Sequence, residues 1–332
     1  METGIRFCVG VVARNIARMA LRGWLHHNCR METTVESREA ALQRYLDTGD
    51  YNEAPRWAGT SLLEAARNAN AFLREGLIAH TLARLASRPV PVLPLAADLA
   101  PWVRGKVSPM VEGLFPATER GAVLALLERS VVFVGPGNVE SVLRSTYWPH
   151  TAWSLANMVL AAAGCEPLSG DGSACLGLSE ETTCYVSQAY FAEGDPFADF
   201  VVHEAAHVFH NCKRATVGLP ETRLREWLLD IDFRRRETFA YACEAYSRIR
   251  VMGNTPARRL QALQEHAQGT LPGNRVVNVT EYLDILDEAA RARNGWKVIL
   301  RRCAPARRTG RVTGSVLADA PEVFTKPVPP LP

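Results

Sequence analysis

Five residues, His203-Glu204-Ala205-Ala206-His207, constrain this chain more than any other stretch of it. Their H-E-x-x-H spacing brings the polar groups together only on a helix, where positions i and i+4 lie one above the other on one face. Two imidazoles can then reach a single metal ion. Glu204, about 100° round the axis, can flank the ion without ligating it. From there its carboxylate can take a proton from an attacking water. Two neutral nitrogen ligands suit zinc, which needs at least one more protein ligand and an open position for catalysis. Phe197, Phe200, Val201, Val202, Ala205, Val208 and Phe209 surround the motif. A helix apolar nearly all round is buried, and polar groups inside it need partners. A metal supplies one. The plainer alternative is two core histidines bonded to carbonyls, with Glu204 in an ion pair. Asp195-Pro196 reads as the helix start, a capping Asp followed by Pro at the first helical position.

Upstream, Thr182-Thr183-Cys184-Tyr185-Val186-Ser187-Gln188-Ala189-Tyr190-Phe191 is rich in β-branched and aromatic residues and reads as a strand. Glu193-Gly194-Asp195 makes the turn into the helix. Strand, turn and H-E-x-x-H helix together resemble the zincin metallopeptidases, over roughly residues 183–248. The resemblance implies Zn2+ as cofactor. It also implies that 183–191 is an edge strand pairing with an extended peptide or protein substrate, whose backbone adds to the sheet.

The third ligand has two candidates. Lys213 stands where metzincins carry a third His, so that branch does not fit. Glu237-Thr238-Phe239-Ala240 resembles the E-x-x-A pattern of several gluzincins, in which the Glu ligates zinc and the small Ala lets two helices approach. Glu226, nineteen positions after His207, is the rival, but its setting lacks the small residue one turn later. On a single helix over 226–244, Glu226, Glu237 and Glu244 would share a face to within about 20°. One could then ligate while another orients a histidine. Taken alone, Glu244 reads as a surface charge paired with a neighbouring arginine, and His210 as a helix-end histidine facing solvent. The resemblance further implies a group that steadies the oxyanion, for which Tyr241 is the first choice and Tyr246 the second. A packed core tyrosine is the plain reading of either.

The 332 residues, 47% hydrophobic and 22% charged, have the composition of a globular protein. A formal net charge of +3 is too slight to imply nucleic acid. Eight cysteines without a C-x-x-C pair argue against a thiolate zinc site and suit a reduced, cytoplasmic protein. No apolar run is long enough to span a membrane. Residues 1–30, with Arg6, Arg14, Arg18, Arg22 and Arg30 in an apolar stretch, read as a cationic transit-type segment or as sequence ahead of a true start at Met31.

Residues 31–130 read as a helical region, with periodic stretches at 36–47, 60–74, 76–87 and 118–129, interrupted by Pro89, Pro91 and Pro94. Residues 131–303 read as the zincin-like unit. Its sheet begins at Val131-Val132-Phe133-Val134, Asn138 can cap the next helix, and further helices start near Thr151, Thr255-Pro256 and Thr280-Glu281. Residues 304–332 are Pro- and Arg-rich and read as a disordered tail. The fold class expected is therefore α+β, a mainly helical N-terminal region followed by a catalytic unit with a small sheet. The function expected is a zinc-dependent peptidase, with His203, His207 and Glu237 on the ion, Glu204 as general base and Tyr241 beside the oxyanion. Three rivals remain open: hydrolysis of a non-peptide amide or ester on the same fold, a non-catalytic sensor or interaction module, and binding through the basic C-terminus. Nothing in the sequence sets an oligomeric state.

Overall fold

A three-stranded sheet too small to cover its own faces organises the molecule. The computed structural model describes residues 37–51, 57–87, 98–169 and 175–306. The strands are β1 (Val131–Val134), β2 (Gly177–Glu180) and β3 (Thr183–Ser187), in the order β1-β3-β2. β3 lies in the middle, parallel to β1 and antiparallel to β2. Side chains alternate across a strand. Val131, Phe133, Cys184 and Val186 therefore face one way, and Val132, Val134, Leu178 and Tyr185 the other. Both faces are apolar, so each needs a helical layer.

The helices in chain order are α1 (Arg38–Thr48), α2 (Leu62–Ala86), α3 (Ala100–Leu114), α4 (Ala117–Ser130), α5 (Val139–Ser145) and α6 (Pro149–Ala162). They continue with α7 (Phe200–Asn211), α8 (Arg236–Met252), α9 (Pro256–Gln268), α10 (Val279–Arg291) and α11 (Gly295–Cys303). One core packs α1, α2, α5 and α6 on the Tyr185 face of the sheet. The other packs α3, α4 and α7 through α11 on the Val186 face. The described residues are thus mostly helical with a small mixed sheet, an α+β arrangement. The line drawn at 130/131 does not separate two cores, since α3 and α4 share theirs with the H-E-x-x-H helix.

Two elements depart from the sequence reading. α3 lies where only interrupted pattern was expected, because Pro101, Gly105, Pro109 and Gly113 mask it. Its apolar stripe is regular all the same: Val103, Val107, Met110, Val111 and Leu114 are buried, while Gly105 and Pro109 face outward. The strand expected over 183–191 stops at Ser187. There the Ser187 side chain accepts from Ala189 N and starts a 3-10 turn, Gln188–Ala192. β3 also has a neighbour on each side, so it offers no open edge, and substrate pairing along 183–191 is ruled out by the sheet order.

The cationic segment 1–30 and the tail beyond 306 lie outside the described residues. No described helix is long and apolar enough to cross a membrane. The six described cysteines are buried.

Candidate metal centre

α7 carries the motif, but it begins later than the sequence suggested. Asp195-Pro196 forms a turn, with Asp195 Oδ1 accepting from Phe197 N at 2.8 Å. The cap is Asp199, whose side chain accepts from Val202 N. Every residue from Phe200 to His210 is buried. Burying Phe200, Val201, Val202, Val208 and Phe209 contributes about 1.5–3 kcal/mol each. A polar group left unpaired there costs about 1–3 kcal/mol, so each polar side chain on this helix needs a partner.

The polar groups are brought together in an ordered way. His203 Nε2 and His207 Nε2 lie 3.2 Å apart. Glu237, in the first turn of α8, places Oε2 3.7 Å from His207 Nε2. One ligand atom from each of the three falls within 4.8 Å of the others. Tetrahedral zinc, with bonds of about 2.0–2.1 Å, sets its ligand atoms about 3.3–3.4 Å apart. Two of the separations straddle that value, and the third is no more than 4.8 Å. Glu237 Oε1 is buried without a hydrogen-bond partner, a state that a nearby cation would relieve. The donor set, two imidazoles and one carboxylate, is one zinc accepts. The residues present therefore fit the ion. Without a metal, one Nε2 can donate to the other across the same gap.

The outer contacts were misread from sequence. Glu244 is no surface charge. It is buried, its Oε2 lies 2.9 Å from His203 Nδ1, and its Oε1 accepts from Asp199 N at 2.8 Å. Asp199 in turn pairs with Lys106 Nζ at 2.7 Å and accepts from Tyr190 OH at 3.2 Å. His210 does not face solvent either; its Nε2 lies 2.8 Å from His207 Nδ1 and the side chain is buried. Both histidines thus have a partner on Nδ1, which leaves Nε2 available to an ion. The signal was available in α8, where Glu237 through Tyr246 is buried on every side. A glutamate in such a stretch needs a partner as much as a histidine does.

Glu226 lies outside this cluster. It is half exposed and paired with Lys213 Nζ at 2.7 Å, in irregular chain and not on a helix. Tyr246 is also elsewhere; its hydroxyl accepts from Gly295 N and its ring packs on Trp296. Tyr241 is within the site. Its ring meets His203 edge-on at 4.6 Å between centroids. Burial, reinforced by the charges of Glu244, Glu237 and Glu204, pushes its phenol well above the ordinary value, so it stays a hydrogen-bond donor. Glu204 is buried against β2, where a Cβ on Gly177 would fall 2.5 Å from its Oε1. Only glycine leaves room for that carboxylate. Burial, then the charges of Glu204 and Cys212, hold the Cys184 thiol protonated, so Cys184 packs and does not ligate.

In comparisons with family models, curated proteins and solved structures, nothing matches this chain.

Two expected results follow from these contacts. Glu244→Gln replaces the carboxyl group that holds His203 Nδ1 and is expected to weaken zinc binding about 10–100-fold, read by competition with a chromogenic chelator. An unchanged affinity would show that Glu244 does not orient His203. The second concerns the metal-free protein. Burial lowers His203 to about 3 and His207 to about 4, from 6.5. Their contribution is intact above pH 6.5 and is lost as pH falls, because only the unfolded chain takes up those protons. Burial raises Glu244 from 4.5 to about 8, against the opposing hydrogen bond from Asp199. Its effect has the opposite sign: stability rises as pH drops from 8 toward 4.5. Each unmatched proton changes stability by about 1.4 kcal/mol per pH unit. Between 4.5 and 6.5 the two histidines outweigh the one glutamate. The urea midpoint of metal-free protein is therefore expected to peak near pH 6.5, and a flat profile from pH 8 to 5 would contradict the assignment.

Proposed function

We propose that this chain is a zinc-dependent hydrolase of zincin type that cleaves peptide bonds. The observation that carries the reading is the convergence of His203, His207 and Glu237 ligand atoms within 4.8 Å, with Glu204 on the same helix as both histidines. Zinc, when bound, supplies a Lewis acid that polarises a carbonyl and acidifies water. His203 and His207 present Nε2, and the Glu237 carboxylate offsets part of the charge. Glu204 takes a proton from the attacking water and later delivers it to the leaving amine. Tyr241, kept protonated, donates to the developing oxyanion.

The substrate strand belongs on β2 and not on β3. Ser187 N donates to Leu176 O, so in this register Gly177 and Ser179 turn their backbone groups away from β3. Gly177 also touches Glu204. An extended peptide paired there would bring its carbonyl to the general base.

A second reading is a non-catalytic metal-holding module. It is favoured by burial, since His203, Glu204, His207, Glu237 and Tyr241 are each at most 8% exposed. Elemental analysis of the purified protein and its His203→Ala variant, alongside an internally quenched peptide library, separates the two. The hydrolase reading expects about one equivalent of zinc, lost in the variant, and cleavage by the parent alone. Zinc without cleavage favours the second reading. Absence of zinc after purification without chelators sinks both.

A further inference from the structure

We infer that a pocket between α3, α4, α8 and α11, separate from the metal centre, binds an oxyanion carried by a small molecule. The pocket is an open cleft of about 510 Å³ lined by Pro109, Glu112, Gly113, Arg120, Arg250, Arg293, Asn294 and Trp296. Three arginines line it from separate elements: Arg120 from α4, Arg250 from the last turn of α8, and Arg293 from the α10–α11 connection. Glu112 is the one acid in the lining. Among the described residues, neither the Arg250 nor the Arg293 side chain forms an ion pair or hydrogen bond. Arg120 is held in place by donating to Phe115 O and Glu112 O.

The charges do not stand alone. Trp296 is 1% exposed and lines the pocket, and its indole Nε1–H is buried with no acceptor. Its pyrrole edge lies against Gly113, where a Cβ would fall 2.1 Å from Cδ1, the carbon bonded to Nε1. A buried donor left unpaired costs about 1–3 kcal/mol, and native structures leave few of them. Asn294 caps α11 there with its side chain, so the positive end of that helix borders the same space. Three cationic side chains, a buried unpaired N–H in the wall behind them and a helix N-terminus have one chemistry in common: all favour an anionic oxygen. Guanidinium forks suit carboxylate and phosphate oxygens alike. The volume exceeds that of a bare ion and falls in the range of small-molecule sites.

The test is calorimetric titration of the full chain with inorganic phosphate and, separately, with citrate, repeated on the Arg250→Ala/Arg293→Ala double variant. Both arginines are exposed, so the variant is expected to fold, and circular dichroism checks that it does. A surface control, Arg67→Ala, should bind as the parent does. The expected result is saturable binding near one equivalent with Kd below about 1 mM, weakened at least about tenfold in the double variant. Phosphate binding alone identifies a phosphate-bearing ligand and citrate binding alone a carboxylate. Failure of both anions to saturate by about 10 mM, or equal binding by the double variant, would overturn the proposal.

Discussion

Glu204→Gln is expected to leave zinc bound at one equivalent while lowering peptide hydrolysis by about 10²–10⁴-fold. Glutamine matches glutamate in shape, so it can occupy the space over Gly177 that the carboxylate fills. Its amide oxygen is far too weak a base to take a proton from water. Glu204 is no member of the group whose ligand atoms converge, so metal content should be untouched. The loss should fall on kcat more than on KM, because the carboxylate acts in the transition state and is not needed to hold the peptide. Zinc content and kcat/KM are read on the same preparation. Turnover at the parent rate would exclude Glu204 as the base. Loss of zinc would place Glu204 among the ligands or show that the helix had been disturbed.

The order in which these groups became legible follows from how local their signals are. The H-E-x-x-H pair could be read because a helix fixes i and i+4 on one face without reference to the rest of the chain. Glu237 could be singled out by its small neighbour Ala240, which is buried at the packed face of α8. Glu244 and His210 were misread because their roles depend on a second helix and a second turn. Glu244 reaches across from α8 to α7, and only the buried run from Glu237 to Tyr246 hinted at it. The sheet order was out of reach for a related reason. β-propensity finds a strand but not its neighbours, so nothing local in 183–187 shows that β1 and β2 lie on either side of β3. α3 shows the reverse failing: its buried stripe was present in the sequence, and two prolines and two glycines distracted from it.

Glu237→Ala is expected to weaken zinc binding by more than the ~10–100-fold typical of an outer partner, while Glu226→Ala changes it little. The asymmetry follows from where each carboxylate lies. Glu237 is 8% exposed and faces His207 Nε2. Glu226 is about half exposed and its only described ion pair is with Lys213, a kind of contact worth roughly 0–1 kcal/mol. Metal-free stability supplies an independent sign. In the absence of zinc, Glu237 keeps a buried oxygen without a hydrogen-bond partner, so removing it should leave the metal-free urea midpoint unchanged or raise it. Saturating zinc should then stabilise the parent but not the Glu237→Ala variant, since only binding to the folded state shifts the midpoint. Chelator competition and urea titrations with and without zinc read both effects. The opposite order of affinities would transfer the third ligand to Glu226. That transfer needs the chain around 226–228 to leave its present place, where Arg214 N donates to Glu226 O at 2.9 Å and Leu228 N to Cys212 O at 3.0 Å. Breaking those two bonds would set Lys213 and Trp227 loose from each other as well. A Glu226 ligand would therefore appear as a zinc-dependent change in the environment of Trp227, which a Glu237 ligand would not produce.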